Sequence, residues 1–417
     1  MRQTGKAAPF DATMLWRSLA RVAGPLAALA VSAWAGGGTL GFHFEQRTRV
    51  ETRTGVAFGR DPDIHTALLR TRLGISFAPA GWLRLSATAQ DARAPWHRPG
   101  APAAPRDPVD LYEAYLELFP ERDAGFGVTA GRRNLSLGES RLVGTPQWAN
   151  CPRPFDQARL YYRWAGARLD LFFASPVRMR PGEFNRPVLG ERLWGIYGSF
   201  SGGARQRLLD LYLLRRDTAD RRVNTAGFRA AGPATRGTEY GIEAAAQTGN
   251  ATGERRRAGA WVGCLRRQFT LGETPVTVSG EYKFASSAFD QLYASNHDRF
   301  GHQDLFGWRN IHNTVSSGAF AVTRRLTVHV MYADSWLADR RGAVYDLSGK
   351  PIARSPDGSA GRHVGREADC FATSKAGDWL FGAGYGRLFP GEFLRHATPG
   401  ASPNYFYLFH RYTLGGI

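Results

Sequence analysis

The chain has 417 residues with 54 Lys+Arg against 36 Asp+Glu, and only Lys6, Lys283, Lys350 and Lys375 are lysines, so the formal charge of +18 is carried almost wholly by guanidinium. Three dispersed cysteines, Cys151, Cys264 and Cys370, speak against a disulfide framework, a zinc ribbon and a CxxC redox centre. At 43 % hydrophobic and 12 % aromatic the chain is not disordered, and its basic excess asks for an anionic partner.

The first element is an apolar run, Val22 to Ala35, that follows Arg17 and Arg21 and ends in Ala33-Trp34-Ala35. Small residues at the last and third-last positions are what signal peptidase accepts, so residues 1–35 read as a secretory signal and 36–417 as the mature domain. Met14 gives a more usual signal start than Met1. At about 14 residues the run is short of the ~20 that span a bilayer as a helix. Its removal takes away Arg2, Lys6, Arg17, Arg21 and Asp11, which lowers the charge from +18 to +15. An exported cationic protein of this kind is not expected to bind nucleic acid.

The mature chain is then written in period two. Phe42–Arg53 puts Glu45, Arg47, Arg49 and Glu51 on one face; Thr66–Phe77 groups Arg70 and Arg72; Trp82–Gln90 carries Arg84. Leu111–Leu118 sets Glu113, Tyr115 and Glu117 against Tyr112, Ala114 and Leu116. Similar runs recur at Phe126–Arg133, Ala158–Trp164, Arg168–Val177, Arg192–Phe200, Leu208–Asp217, Thr238–Thr248, Ala258–Phe269, Val276–Ala285, Thr314–Val322, Leu326–Trp336, Arg366–Lys375, Asp378–Leu388 and Asn404–Tyr412. Alternation over so many strands, aromatics at strand ends (Trp82, Trp164, Trp194, Trp336, Trp379) and the absence of any linker predict an all-β fold: a single transmembrane antiparallel barrel of about 18 strands (16–18) with an arginine-rich lumen. The segments 95–108, 136–157, 181–191, 219–235, 290–310 and 339–363 are expected as loops, some at the surface and some folded into the lumen.

Several segments resemble the alginate-export family of outer-membrane barrels. They are Asp110-Leu111-Tyr112-Glu113-Ala114-Tyr115-Leu116, Gly131-Arg132-Arg133-Asn134-Leu135 with Arg141, Gly144, Trp148, Asn150 and Arg153, Phe289-Asp290-Gln291-Leu292-Tyr293 with His297, Asp304 and Gly307-Trp308-Arg309-Asn310, and Phe389-Pro390-Gly391-Glu392-Phe393. The resemblance implies an 18-stranded barrel in the bacterial outer membrane that exports an anionic exopolysaccharide, alginate or a related polyuronate. The C-terminus departs from the usual pattern, ending in Leu414-Gly415-Gly416-Ile417 without a terminal aromatic.

A polyuronate carries one carboxylate per sugar, and guanidinium is permanently charged and binds carboxylate in bidentate fashion. The candidate pore lining is therefore Arg47, Arg49, Arg70, Arg72, Arg84, Arg132, Arg133, Arg141, Arg153, Arg159 and Arg163, with Glu113 and Asp156 among the acids that position them. The expected partners are the polysaccharide, outer-membrane lipid and proteins of a periplasmic export complex, with the barrel acting as a monomer and without a cofactor. The rival reading is a general or anion-selective uptake porin for small solutes. His297, Asp298, His302 and Asp304 have the residue types of a metal site, but loop packing accounts for them and no metal is expected. Nor is an enzyme. Glu113/Glu117 and Glu239/Glu243 share a strand face, where four residues place them ~13 Å apart, beyond the ~5–9.5 Å of glycosidase pairs.

Overall fold

The computed structural model describes residues 38–96, 105–120, 124–202, 207–251 and 254–415; the expected signal segment lies outside them. Among the described residues three short strands, Arg186–Pro187, Ala343–Tyr345 and Pro351–Arg354, lie in the long connections, and eighteen antiparallel strands form the wall in chain order. They are β1 (Thr39–Thr54), β2 (Ile64–Ala80), β3 (Leu83–Arg93), β4 (Asp107–Leu118), β5 (Gly125–Arg133), β6 (Phe155–Trp164), β7 (Ala167–Arg178), β8 (Arg192–Gly202) and β9 (Arg207–Asp217). The second half comprises β10 (Arg221–Thr235), β11 (Thr238–Ala251), β12 (Glu254–Leu271), β13 (Thr274–Ala285), β14 (Ile311–Ala321), β15 (Leu326–Leu337), β16 (His363–Ala376), β17 (Trp379–Pro390) and β18 (Asn404–Leu414). Each pairs with its sequence neighbour, and β18 closes on β1 from Phe44↔Leu414 to Thr54↔Asn404. Closure leaves no unpaired strand edge, the condition for a sheet in hydrocarbon. Among the described residues no helix is long and apolar enough to cross a membrane.

The two ends of the barrel differ. At one end no connection exceeds six residues, while the other carries the connections 134–154, 179–191, 286–310, 338–362 and 391–403. Short turns face the periplasm and long loops the exterior in barrels of this kind. Outward side chains such as Leu73, Ile75, Leu85, Leu211 and Leu408 are exposed apolar groups, and Trp82, Phe126, Trp164, Trp194 and Trp379 form aromatic girdles at the strand ends. The inward face is polar and packed: Glu45, Arg47, Arg49, Glu51, Arg70 and Arg72 are all less than 9 % exposed.

Two readings of the sequence need correction. Residues 221–235, expected as loop, form β10. Its two adjacent arginines, four alanines, Gly227, Gly232 and Pro233 leave only Val223 and Phe228 as large apolar residues, which hides the alternation. Pro233 is tolerated because the ladder shifts register between Pro233 and Thr235. Tyr112, read as outward, faces the lumen. A bulge between the pairs Thr88↔Glu113 and Ala89↔Leu111 inserts one extra residue, so both Tyr112 and Glu113 point inward.

The apolar core lies inside the barrel, toward its loop end. Leu135, Leu142 and Val143 of the 134–154 loop pack with Phe289, Leu292, Tyr293, Phe300, Phe306 and Trp308 of the 286–310 loop. Phe393 and Leu394 of a short helix α1 (Glu392–Ala397) join the same cluster. A polar barrel wall has no apolar face of its own to bury, so the loops supply one to each other.

Candidate functional site: a guanidinium clamp on a folded-in loop

The two long loops meet along an isolated parallel bridge, Val143↔Tyr293. The Gly144 N–H donates to the Tyr293 carbonyl at 2.9 Å, and the Tyr293 N–H to the Leu142 carbonyl at 2.8 Å. Arg153 reinforces the junction, its Nη2 donating to the Tyr293 carbonyl at 3.1 Å while its guanidinium sits 5.0 Å from the Tyr293 ring. Burial pushes the Arg153 guanidinium down to about 10.

The alternation of β1 and the register Arg47↔Arg70, Glu45↔Arg72 bring four arginines to one patch of inner wall. The residues they meet are Gln147, Trp148 and Ala149 of the first loop. Arg47 donates from Nη1 to the Gln147 carbonyl and from Nη2 to the Ala149 carbonyl, both at 3.0 Å. Arg70 Nη1 reaches the same two oxygens at 3.1 and 2.9 Å, and Arg49 Nη1 donates to the Trp148 carbonyl at 2.7 Å. Arg72 Nη1 bonds Gln147 Oε1 at 3.1 Å while its guanidinium lies 4.0 Å from the Tyr112 ring. Two carboxylates share the patch: Glu45, 2.8 Å from Arg70, and Glu51, 2.5 Å from Arg49. Four guanidiniums thus face two carboxylates, and the difference is met by neutral carbonyl oxygens.

The second loop is held by the opposite chemistry. On β16, Glu367 Oε1 accepts from the Gln303 N–H at 2.8 Å and Asp369 Oδ2 from the His302 N–H at 3.3 Å. Gly301, at φ +131°, and Gly386 leave the room these carboxyls occupy, since a Cβ at either would collide with Glu367 or Asp369. Sequence reasoning missed this pair, whose one signal is two acids two residues apart on the face opposite Ala368 and Cys370.

Below the loops, toward the short-turn end, Arg84, Glu113, Tyr115, Glu117, Arg133, Arg159 and Arg168 line a cavity of about 470 Å³. Arg133 pairs with Glu117 at 3.1 Å, and Arg159 and Arg168 share Asp170 at 2.6 and 2.8 Å. Arg163 faces the same interior with its Nε buried and without a hydrogen-bond partner. Across the lumen a space of about 280 Å³ is lined by Glu139, Arg141, Arg229, Glu239, Glu243, Arg266, Glu281 and Arg299, where four acids face four arginines. Arg141 belongs here, bonded to Glu281 at 3.1 Å.

Of the predicted lining, Arg132 and Asp156 require correction. They pair at 2.7 Å, but β6 buries Phe155, Gln157 and Tyr161 inward, which turns Asp156 and its register partner Arg132 outward. The 179–191 loop covers them, with Phe184 5.4 Å from the Arg132 guanidinium. The double arginine at 132–133 conceals the alternation, because adjacent strand residues take opposite faces.

A family model described as alginate export matches residues 38–408. Among solved structures, OccK9 (OpdG) of Pseudomonas aeruginosa is similar at a TM-score of 0.63 and 12 % identity, over 90 % of this chain and 98 % of that one. OpdK of the same organism, solved with vanillate, gives 0.63 at 10 % identity over 90 % and 99 %, and OccAB1 of Acinetobacter baumannii gives 0.61 at 8 % over 91 % and 97 %. At these identities the likeness concerns the barrel fold alone. No curated protein sequence matches the chain. A family model that spans the barrel from its first strand to its last, on a closed 18-stranded wall with a lipid-facing exterior, makes the chain a member of the alginate export family of bacterial outer-membrane channels.

Proposed function

We propose that the barrel is a passive outer-membrane channel that exports an anionic exopolysaccharide, alginate or a related polyuronate, along its arginine-rich wall. The observation that carries this reading is the patch of Arg47, Arg49, Arg70 and Arg72, whose excess charge is met only by carbonyl oxygens. A carboxylate adds ionic attraction to its hydrogen bonds and can engage a guanidinium in bidentate fashion, which a lone carbonyl oxygen cannot, so a uronate can displace the 147–149 segment from the guanidiniums. Below the patch, Arg84, Arg133, Arg159 and Arg163 supply successive weaker sites, and conduction requires that no single site hold too tightly. The 134–154 loop acts as the gate. In planar bilayers the purified channel is expected to be anion-selective and to be blocked by micromolar to millimolar polyuronate; cation selectivity without block would overturn the reading.

A second reading, uptake of small anions, is favoured by the lumenal cavities of about 470 and 280 Å³, each of a size for one small solute. The fold relative solved with vanillate, an aromatic carboxylate, points the same way. Liposome swelling separates the two: rapid entry of small carboxylates without polymer block supports uptake.

A further inference from the structure

The geometry points to a divalent transition-metal site in the folded-in second loop, with His297, Asp298 and His302 as ligands and zinc as the cation that best matches them. The candidate ligand atoms of the three residues all lie within 4.8 Å of one another. His297 Nε2 is 3.5 Å from Asp298 Oδ1, and His302 Nδ1 is hydrogen-bonded to the same oxygen. A tetrahedral zinc with bonds near 2.0–2.1 Å needs its ligands about 3.3 Å apart, so the ion takes the place of the proton in the His302–Asp298 bond and that pair opens to admit it.

The outer partners single this cluster out from ordinary loop packing. Each imidazole has one nitrogen fixed from behind and presents the other to the shared point. His297 Nδ1 is bonded to Asp304 Oδ2 at 2.7 Å. His302 Nε2 is bonded to the Tyr407 hydroxyl at 2.8 Å. Metal-ligating histidines are oriented in this manner, the far N–H held by a carboxylate or another acceptor so that the near nitrogen keeps its lone pair for the metal. The rings are also pinned flat, His297 on Trp148 with centroids 4.5 Å apart and His302 on Phe371 at 4.4 Å. Two imidazoles and a carboxylate suit zinc, with copper and nickel as competitors. The Asp298 side chain is 36 % exposed while His302 is 2 % exposed, so the ion would be reached from the Asp298 side. Arg49, 3.9 Å from the Trp148 ring, brings a neighbouring positive charge. Asp298 and Asp304, with Asp369 on the His302 N–H, supply the compensating negative charge. Bound metal would join Trp148 of one loop to Tyr407 of β18 through the two histidines and lock the lumenal plug in place.

The test uses the full-length protein in detergent, stripped with a chelator and dialysed. Zinc titration by calorimetry is expected to show one site per chain, and cobalt(II) in its place to give the strong visible absorption of a tetrahedral site. His297→Gln and Asp298→Asn should each weaken binding at least tenfold and abolish the cobalt spectrum, while heat-modifiable migration confirms a folded barrel. If His297→Gln fails to fold, Asp298→Asn, which keeps the side-chain shape, decides. The proposal is overturned if the wild type retains no zinc-binding site, or if folded variants bind zinc as the wild type does.

Discussion

The indole of Trp148 lies face to face with the imidazole of His297, planes 6° from parallel and centroids 4.5 Å apart. Each ring sits at the tip of a different folded-in loop, and the stack continues to the barrel wall: Arg49 lies 3.9 Å from the indole, and Tyr407 and Phe409 of β18 meet it edge-on. The folded-in 134–154 loop therefore rests on one aromatic residue clasped between a strand, a second loop and a cation. Trp148→Ala should remove roughly 3–5 kcal/mol of packing from the loop while leaving the strand ladder intact. Single-channel recording should show larger and noisier conductance from a folded barrel; unchanged conductance would show that the indole does not hold the gate.

Arg70 and Glu45 are buried together at 2.8 Å. Arg70→Ala still leaves the carboxylate Arg72 at 4.0 Å, whereas Glu45→Gln leaves Arg47, Arg70 and Arg72 without the acid they share, a loss of about 3–5 kcal/mol. Glu45→Gln is therefore expected to unfold at lower temperature than Arg70→Ala, measured by the midpoint of heat-modifiable migration.

Anion selectivity divides the predicted arginines. Replacing Arg84, Arg133 and Arg163 together with Ala should shift the reversal potential in a salt gradient toward zero. Arg132→Ala, on the outward face, should leave it in place. A shift with Arg132→Ala alone would contradict the assigned register.

Cys151, two residues beyond the clamped Ala149, has its thiol pushed up to about 12 by burial and the nearby Asp107. At pH 8 almost none is thiolate, so maleimide labelling of the folded wild type should be slow and should rise about tenfold per pH unit. Trp148→Ala should accelerate it at constant pH by opening the loop, which makes the thiol a reporter of gating.

Glu139 sits at the turn of the first loop against Arg229 and Arg299. Burial opposes its ionisation, but Arg229, Arg299 and Arg141 outweigh burial and hold the carboxyl below its ordinary 4.5. A carboxyl depressed in the folded state contributes stability above its unfolded value, and that contribution is lost as pH falls through the folded one. Loop opening should thus increase below about pH 4.5 in wild type, and Glu139→Gln should flatten this acid limb. A limb unchanged in the variant would assign it to another group.

The wall was legible in the sequence because strand alternation is local: each of the seventeen runs carries its own two-residue period, and the inward placement of Arg47, Arg49, Arg70, Arg72 and Arg84 follows from it. The exceptions are places where local pattern is suppressed or shifted by one residue. β10 has too few large side chains to alternate visibly, the bulge at Tyr112 turns one ring inward, and adjacency of Arg132 and Arg133 forces one of them out. What the arginines do was not legible. Their partners at 147–149 lie about a hundred residues away, and a carbonyl acceptor leaves no trace in side-chain identity. The acid pair on β16 is hidden for the same reason, since its acceptors meet backbone N–H groups.

The clamp on Gln147–Ala149 comes from β1 and β2, and the rings that meet Trp148 edge-on come from β18. First and last strands are neighbours only after the cylinder shuts, so the first loop has no complete berth in an open sheet. The berth of Trp148 is therefore complete only once the seam has closed. On an open sheet Arg47, Arg49, Arg70 and Arg72 lie along one margin with only Glu45 and Glu51 to answer them, and an anionic surface on the chain's route to the membrane meets two guanidiniums in excess.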